Sequence, residues 1–220
     1  MNDSSRRRIL ARIRSNLKSA PPVDPPSAAA PAPERTPAAR MEYLRQRMTA
    51  VHAEVHMVEK PHWTETFKAI AADKNWREIA CGSGHPLIDE LKTAWQTDAN
   101  DLPVLTPYTA LSAPFKARLF QVDAGITSTM GAVADTGALI VWPTPAEPRL
   151  LSLVPPVHVA LLPAEHIYNS LAEAMTEQKW KAGMPSNALL ISGPSKTADI
   201  EFKLVYGVHG PHELMVLMLV

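Results

Sequence analysis

Cysteine is nearly absent: Cys81 is the single one in 220 residues. One thiol cannot close an intrachain disulfide. It also falls short of the four thiolates an iron–sulfur cluster normally takes and of the Cys/His set of a closed zinc site. No metal and no cofactor is therefore expected on the chain itself. Net charge is absent as well, with 22 Lys and Arg against 22 Asp and Glu, so no overall field draws it to nucleic acid or acidic substrates. No run of about 18 apolar residues occurs, and no membrane-spanning helix is predicted. The first residues lack the apolar core and small-residue cleavage site of an export signal, so a cytoplasmic protein is expected.

What is present suffices for one moderate domain with appendages. A domain of roughly 180 residues buries about 70% of its unfolded surface and needs no cross-link to stand. The charge balance hides an asymmetry, because residues 1–20 hold six basic residues against Asp3 alone. Within residues 6–18, Ile9, Ile13 and Leu17 fall four apart, with Leu10 beside them and arginines around. That spacing predicts a short basic amphipathic helix. Alone it is marginal in water, so it is expected to dock on an oligomer mate, a partner protein or a membrane surface. Residues 20–39 follow with seven prolines among alanines, a composition that builds no core and reaches on the order of 60 Å as polyproline II. Residues 1–39 thus read as helix plus linker, and 40–220 as the domain.

In residues 40–58, Met41, Leu44, Met48, Val51, Val55 and Val58 step alternately by three and four, which predicts one helix covering a core. From His62 onward, helical patterns alternate with short apolar runs. Residues 62–74 and 86–95 read as helices, and residues 77–84 as a strand running into a glycine-rich loop. Residues 101–107 and 157–163 read as strands, and residues 116–142 as two strands around a Gly-rich crossing. A helix is expected over 165–180. A strand over 187–193 leads through Pro194–Thr197 towards a short helix, and residues 204–210 and 213–220 close the chain as a final pair of strands. Continuous apolar strands separated by helices predict an α/β fold, a three-layer α/β/α sandwich with a mostly parallel sheet.

Two stretches carry a resemblance. One runs from Gly125-Ile126-Thr127 through Asp135-Thr136-Gly137 into the apolar strand beyond. The other is Ile191-Ser192-Gly193-Pro194-Ser195-Lys196-Thr197-Ala198-Asp199-Ile200-Glu201, with Gly207-Val208-His209-Gly210-Pro211 behind it. From about Met41 to Val220 the chain resembles the LUD domain (formerly DUF162) of the lactate utilization protein C family, LutC. The resemblance implies a NagB/RpiA/CoA transferase-like fold and a part in oxidation of L-lactate to pyruvate beside iron–sulfur partner proteins. The scarcity of cysteine agrees with electron-carrying centres that lie in those partners. Asp135 stands where the family more often shows Glu, which sets its carboxylate one methylene further back.

Each site candidate has a plain structural alternative. Asp135, with Thr136 and Gly137, sits between a Gly/Ala-rich loop and a buried strand, where α/β proteins hold ligands. It is either a catalytic carboxylate or a turn residue bonded to its own backbone. Ser192, Ser195, Lys196 and Thr197 follow a strand and precede the expected helix, which suits a carboxylate or phosphate; ordinary capping is the alternative. His209 is either a proton-moving or carboxylate-binding residue or a structural turn histidine, as His212 is. Thr127, Ser128 and Thr129 are pocket-lining hydroxyls or ordinary strand residues. His52 and His56 have metal-ligand spacing on a helix but no third ligand, and read as surface histidines. Cys81 reads as buried and inert, and Gly82-x-Gly84 alone is a weak phosphate signal.

Three functions follow. The first is a cluster-free component of a lactate-oxidising complex, with the N-terminal arm available for homo-oligomer or complex assembly. The second is a stand-alone enzyme or sensor binding a small carboxylate, CoA ester or nucleotide where Asp135, Ser195 and His209 are expected to meet. The third is a scaffold without a site.

Overall fold

The computed structural model describes residues 3–19, 33–97, 102–108, 117–200 and 203–220. Two units divide the chain, Met1–Pro31 and Ala32–Val220. The first holds helix α1 (Asp3–Ser19), on which Ile9, Leu10 and Ile13 are exposed. The expected polyproline stretch falls largely on residues 20–32, outside the described residues.

The second unit opens with α2 (Pro37–Thr49), three residues earlier than the sequence pattern suggests. Thr36 caps it, its side chain accepting from the Ala39 N–H at 3.3 Å, and Pro37 supplies a preset first-turn φ. The helix does not run to Val58. His52 takes a left-handed φ of 69° and turns the chain into strand β1 (Glu54–Val58). Val55 and Val58 therefore join opposite faces of a sheet, Val58 with one core cluster and Val55 against the other. A three-residue step fits either a helix or the two faces of a strand, which is why the periodicity misleads here.

The remaining elements of the main sheet are α3 (Trp63–Asp73), β2 (Glu78–Cys81), α4 (Pro86–Thr97), β3 (Val104–Pro107), β4 (Ala124–Ser128), the single-turn helix α5 (Leu150–Leu153), β7 (Val157–Pro163) and β12 (Glu213–Leu219). Six parallel strands run in the order β1-β12-β7-β4-β2-β3. Strand alternation splits the core. Val159, Leu161, Leu217 and Leu219 face α3 and α4, whose Trp63, Phe67, Ile88, Leu91 and Trp95 lie three and four residues apart on their helices. Ala160, Leu162, Val216 and Met218 face the other way, against Leu44 and Met48 of α2 and a second sheet. The sheet is mostly parallel and flanked by helices, as the apolar strands predict, but its second cover is a helix plus strands.

That second sheet is β8-β5-β6-β9, built from β5 (Gly131–Val133), β6 (Ala138–Val141), β8 (Ile167–Tyr168) and β9 (Leu189–Ile191). Residues 116–142 thus contribute three strands rather than two. The helix expected over 165–180 is broken into a 3-10 turn (Ala164–His166), β8, α6 (Leu171–Glu177) and a further 3-10 turn (Trp180–Ala182). Its start is set by Ser170, which accepts from the Glu173 N–H at 3.2 Å. No helix follows Ser195: β10 (Lys196–Ile200) pairs antiparallel with β11 (Lys203–Tyr206). The last two strands are not a pair either. β12 inserts between β1 and β7. Its six residues after Glu213 are apolar, and it buries both faces.

Candidate functional site

Pro155-Pro156 follow helix α5 and its cap residue Val154; prolines cannot continue a helix, and the pair imposes an extended path into β7. Two residues later His158 lies opposite Gly125 of β4 and Leu214 of β12, on the face turned away from α3 and α4. It is completely buried. Its Nε2 is 2.9 Å from Thr127 Oγ1, and its Nδ1 has no partner. Burial pushes the His158 imidazole down to about 3, so the ring is neutral across the physiological range.

Above His158 the chain returns twice. The Ser195 N–H donates to Pro211 O and the Gly207 N–H to Ser195 O, both at 2.8 Å, and the His212 N–H donates to Pro156 O at 2.9 Å. These bonds stitch the base of the β10–β11 hairpin and the loop before β12 onto the start of β7. Gly207 has φ +76°, and a Cβ there would lie 2.5 Å from His212 Cβ, so glycine is required on two counts. Gly193 also packs closely, against the turn after α2, where a Cβ would meet Val51 Cγ2 at 2.9 Å.

The result is a cavity of about 120 Å³ at the amino ends of β7 and β12. Ser152, Leu153 and His158 form one wall, Ile191, Gly193 and Ser195 a second, and His209, Gly210, Pro211 and Leu214 the third. Ser152 Oγ donates to Arg149 O at 3.0 Å. His209 is exposed at the rim. The space is large enough for a few waters or a small organic molecule. It falls below the roughly 300–1,000 Å³ of pockets for drug-sized ligands, so a CoA ester or nucleotide does not fit inside.

Ser195 and His209, expected from sequence to meet, do so here. Thr127 joins them as the partner of His158. Asp135 does not line this cavity. It sits with Thr136 and Gly137 in the β5–β6 turn, where its N–H donates to Asn169 O at 3.1 Å and its half-exposed carboxylate lies 3.5 Å from Arg35. Gly137 takes φ +66° within that turn. Ser192 and Lys196 are exposed and Thr197 is half-buried; none of the three lines the cavity, and the helix start invoked for them is a hairpin strand. Ser128 lies at the opposite end of β4, where its N–H and hydroxyl both bind the Glu147 carboxylate. His56 is on β1 beside Glu54, and His52 stacks edge-on with Tyr206. Sequence reasoning missed His158. Its signal was available: one imidazole inside the otherwise apolar run Val157–Pro163.

A wider cleft of about 630 Å³ opens at the carboxyl ends of β4, β7 and β12, with Lys60, His85, Thr129, Glu165 and His166 on its walls. Its lysine is committed to Glu165 at 2.6 Å. Cys81, at the end of β2, is fully buried under α3 and α4, and burial pushes its thiol up to about 11. Folded protein is expected to react with a disulfide reagent at pH 8 at least about 100-fold more slowly than protein in guanidinium. Equal rates would show an accessible thiolate.

The LUD domain family model matches residues 41–219. The chain belongs to the LUD domain family. An uncharacterized protein of Neisseria meningitidis serogroup B is 37% identical over 183 residues, which is 81% of this chain and 76% of that protein. Lactate utilization protein C of Exiguobacterium sp. is 25% identical over 177 residues, 78% of this chain and 74% of that protein. The protein of the same name from Halalkalibacterium halodurans is 36% identical over 95 residues, covering 41% of each. A solved DUF162 family protein from Deinococcus radiodurans superposes with a TM-score of 0.61 at 21% identity, over 85% of this chain and 100% of that one. This LUD domain shares its fold with that protein. The buried histidine, the hairpin base and the rim histidine all lie inside the matched residues.

Proposed function

We propose that this LUD domain protein takes part in oxidation of L-lactate to pyruvate as a cluster-free component acting with iron–sulfur partner proteins. The family match over residues 41–219, together with relatives named lactate utilization protein C, carries this reading. Cys81 supports the division of labour: it is the chain's one cysteine, buried and held as a thiol, whereas a cluster takes several thiolates. The electron-carrying groups then belong to the partners. The N-terminal arm, whose helix exposes Ile9, Leu10 and Ile13 among arginines, serves as the docking element for a second copy or for those partners. Within this reading the His158 cavity holds a small carboxylate, by virtue of its size and the polar groups at Ser195 and His209.

Deletion of the gene is expected to abolish growth on L-lactate while growth on pyruvate continues, and the tagged chain is expected to co-purify with cysteine-rich iron–sulfur proteins. Undiminished growth of the deletion strain on lactate sinks the reading.

A further inference from the structure

Away from the His158 cavity, α6 and the 3-10 turn after it border an open groove of about 560 Å³. Ala172, Met175 and Thr176 repeat at three and four residues along one face of the helix, and Ala182 and Met184 complete the apolar lining. Met175 and Met184 are 36% and 64% exposed, whereas Trp180 at the base is 6% exposed. The indole is fixed in place. It packs edge-on against Trp142 with ring centroids 5.0 Å apart, and its Nε1 donates to Gln178 Oε1 at 2.9 Å. Two adaptable methionines over a rigid aromatic base repack readily around an apolar side chain brought to them.

Charge at the groove has one sign. Lys179 and Lys181 line it and are exposed, and among the described residues neither ammonium is paired with a carboxylate. The two acids of α6 are engaged elsewhere: Glu173 binds Arg40 at 3.1 Å, and Glu177 lines the wider cleft. The backbone is closed as well. The N–H groups of Gln178, Lys179, Ala182 and Gly183 donate to carbonyls of the same segment, so they pair with no added strand. A segment buried here has to satisfy its own backbone, which a helix does.

We propose that this groove docks an acidic amphipathic helix of another protein, with its apolar stripe on Met175, Trp180 and Met184 and its carboxylates facing Lys179 and Lys181. The chain's own helix α1 also has an uncovered apolar stripe, but it carries five arginines in residues 6–14. Like charge disfavours it as the occupant, from this copy or a second one. The docking surface follows from α6 and its turn and is independent of the lactate reading.

Two alanine-based peptides of about 18 residues, long enough to be helical in water, carry the same leucines at i, i+3, i+4 and i+7. One has glutamates at the flanking positions and the other lysines. Each is labelled with fluorescein and titrated with the full chain by fluorescence anisotropy. The glutamate peptide is expected to bind saturably and at least about 10-fold more tightly than the lysine peptide. Met175→Glu is expected to weaken it at least about 10-fold, and Lys179→Glu combined with Lys181→Glu to reverse the preference. Lys179→Gly separates binding from folding. Lys179 holds φ 53°, where glycine is favoured, so this variant is expected to melt no lower than the native chain and yet to bind the glutamate peptide about two- to fivefold more weakly. Failure of the glutamate peptide to bind saturably overturns the proposal, as does equal affinity for the two peptides. Unchanged affinity in Met175→Glu places the binding outside the groove and overturns it too. So does a synthetic peptide of residues 3–19 that binds as tightly as the glutamate peptide.

Discussion

The folded protein is expected to lose about 2 kcal/mol of stability between pH 7 and pH 5 through His158 alone. In the unfolded chain this imidazole titrates near 6.5, and in the core burial holds it at about 3. Between those values the unfolded state binds a proton that the folded state refuses, so unfolding is favoured as the pH falls. The contribution is fully present above 6.5 and is lost on descent towards 3. At pH 5 the ring is about 1.5 pH units below its unfolded value, and each unit corresponds to about 1.4 kcal/mol. Urea unfolding of the native chain and of His158→Gln at both pH values isolates the effect, because carboxylates and the other histidines titrate in both proteins. Glutamine can still bond Thr127 but does not titrate. Parallel losses in the two proteins would mean that His158 is hydrated or protonated in the folded state.

The second large effect lies in the last strand. Leu217→Ala is expected to destabilise the protein by about 2–5 kcal/mol and lower the melting temperature by roughly 5–15 °C. Leu217 has no exposed surface and belongs to the cluster under α3 and α4. Its strand is paired on both sides, with β1 and β7, so the hole left by three heavy atoms has no mobile neighbour to collapse into it. Val104→Ala on edge strand β3, where the side chain is 62% exposed, serves as the control and is expected to shift stability by about 0.5 kcal/mol or less. A loss at Leu217 no greater than at Val104 would show that β12 is not a buried strand held between β1 and β7.

Much of the fold was legible where burial and period agree. Trp63, Phe67 and Ala71, and Ile88, Leu91 and Trp95, repeat at helical spacing and form the helices that cover one face. Residues 157–163 are apolar apart from His158 and form the strand they suggest. Legibility ended where local pattern admits two readings. Val55 and Val58 fit a helix seam, yet the left-handed turn at His52 converts them to strand residues of opposite face. Ser195 to Ile200 looked like a helix start, yet the segment pairs with Lys203–Tyr206, a long-range preference that overrides local propensity.

The candidate site divides in the same way. Ser195 and His209 were found from their motifs, and the structure brings both to one small cavity. Asp135 was drawn in by its neighbours Thr136 and Gly137, but the β5–β6 turn and Arg35 account for it. His158 was passed over because a histidine in a strand carries no motif. Its character comes from Thr127, 31 residues earlier, and from Leu214, 56 residues later.

Chemical inventory and layer architecture were properties of the chain alone. A single thiol limits what any fold of these residues can ligate, and unbroken apolar strands have to be covered on both faces wherever they lie. Which end of the sheet carries the small cavity, and which hydroxyl His158 meets in the core, were decided only when β12 closed the sheet between β1 and β7. Burial and partner belong to a place in three dimensions, and that place is assembled from segments that no local pattern connects.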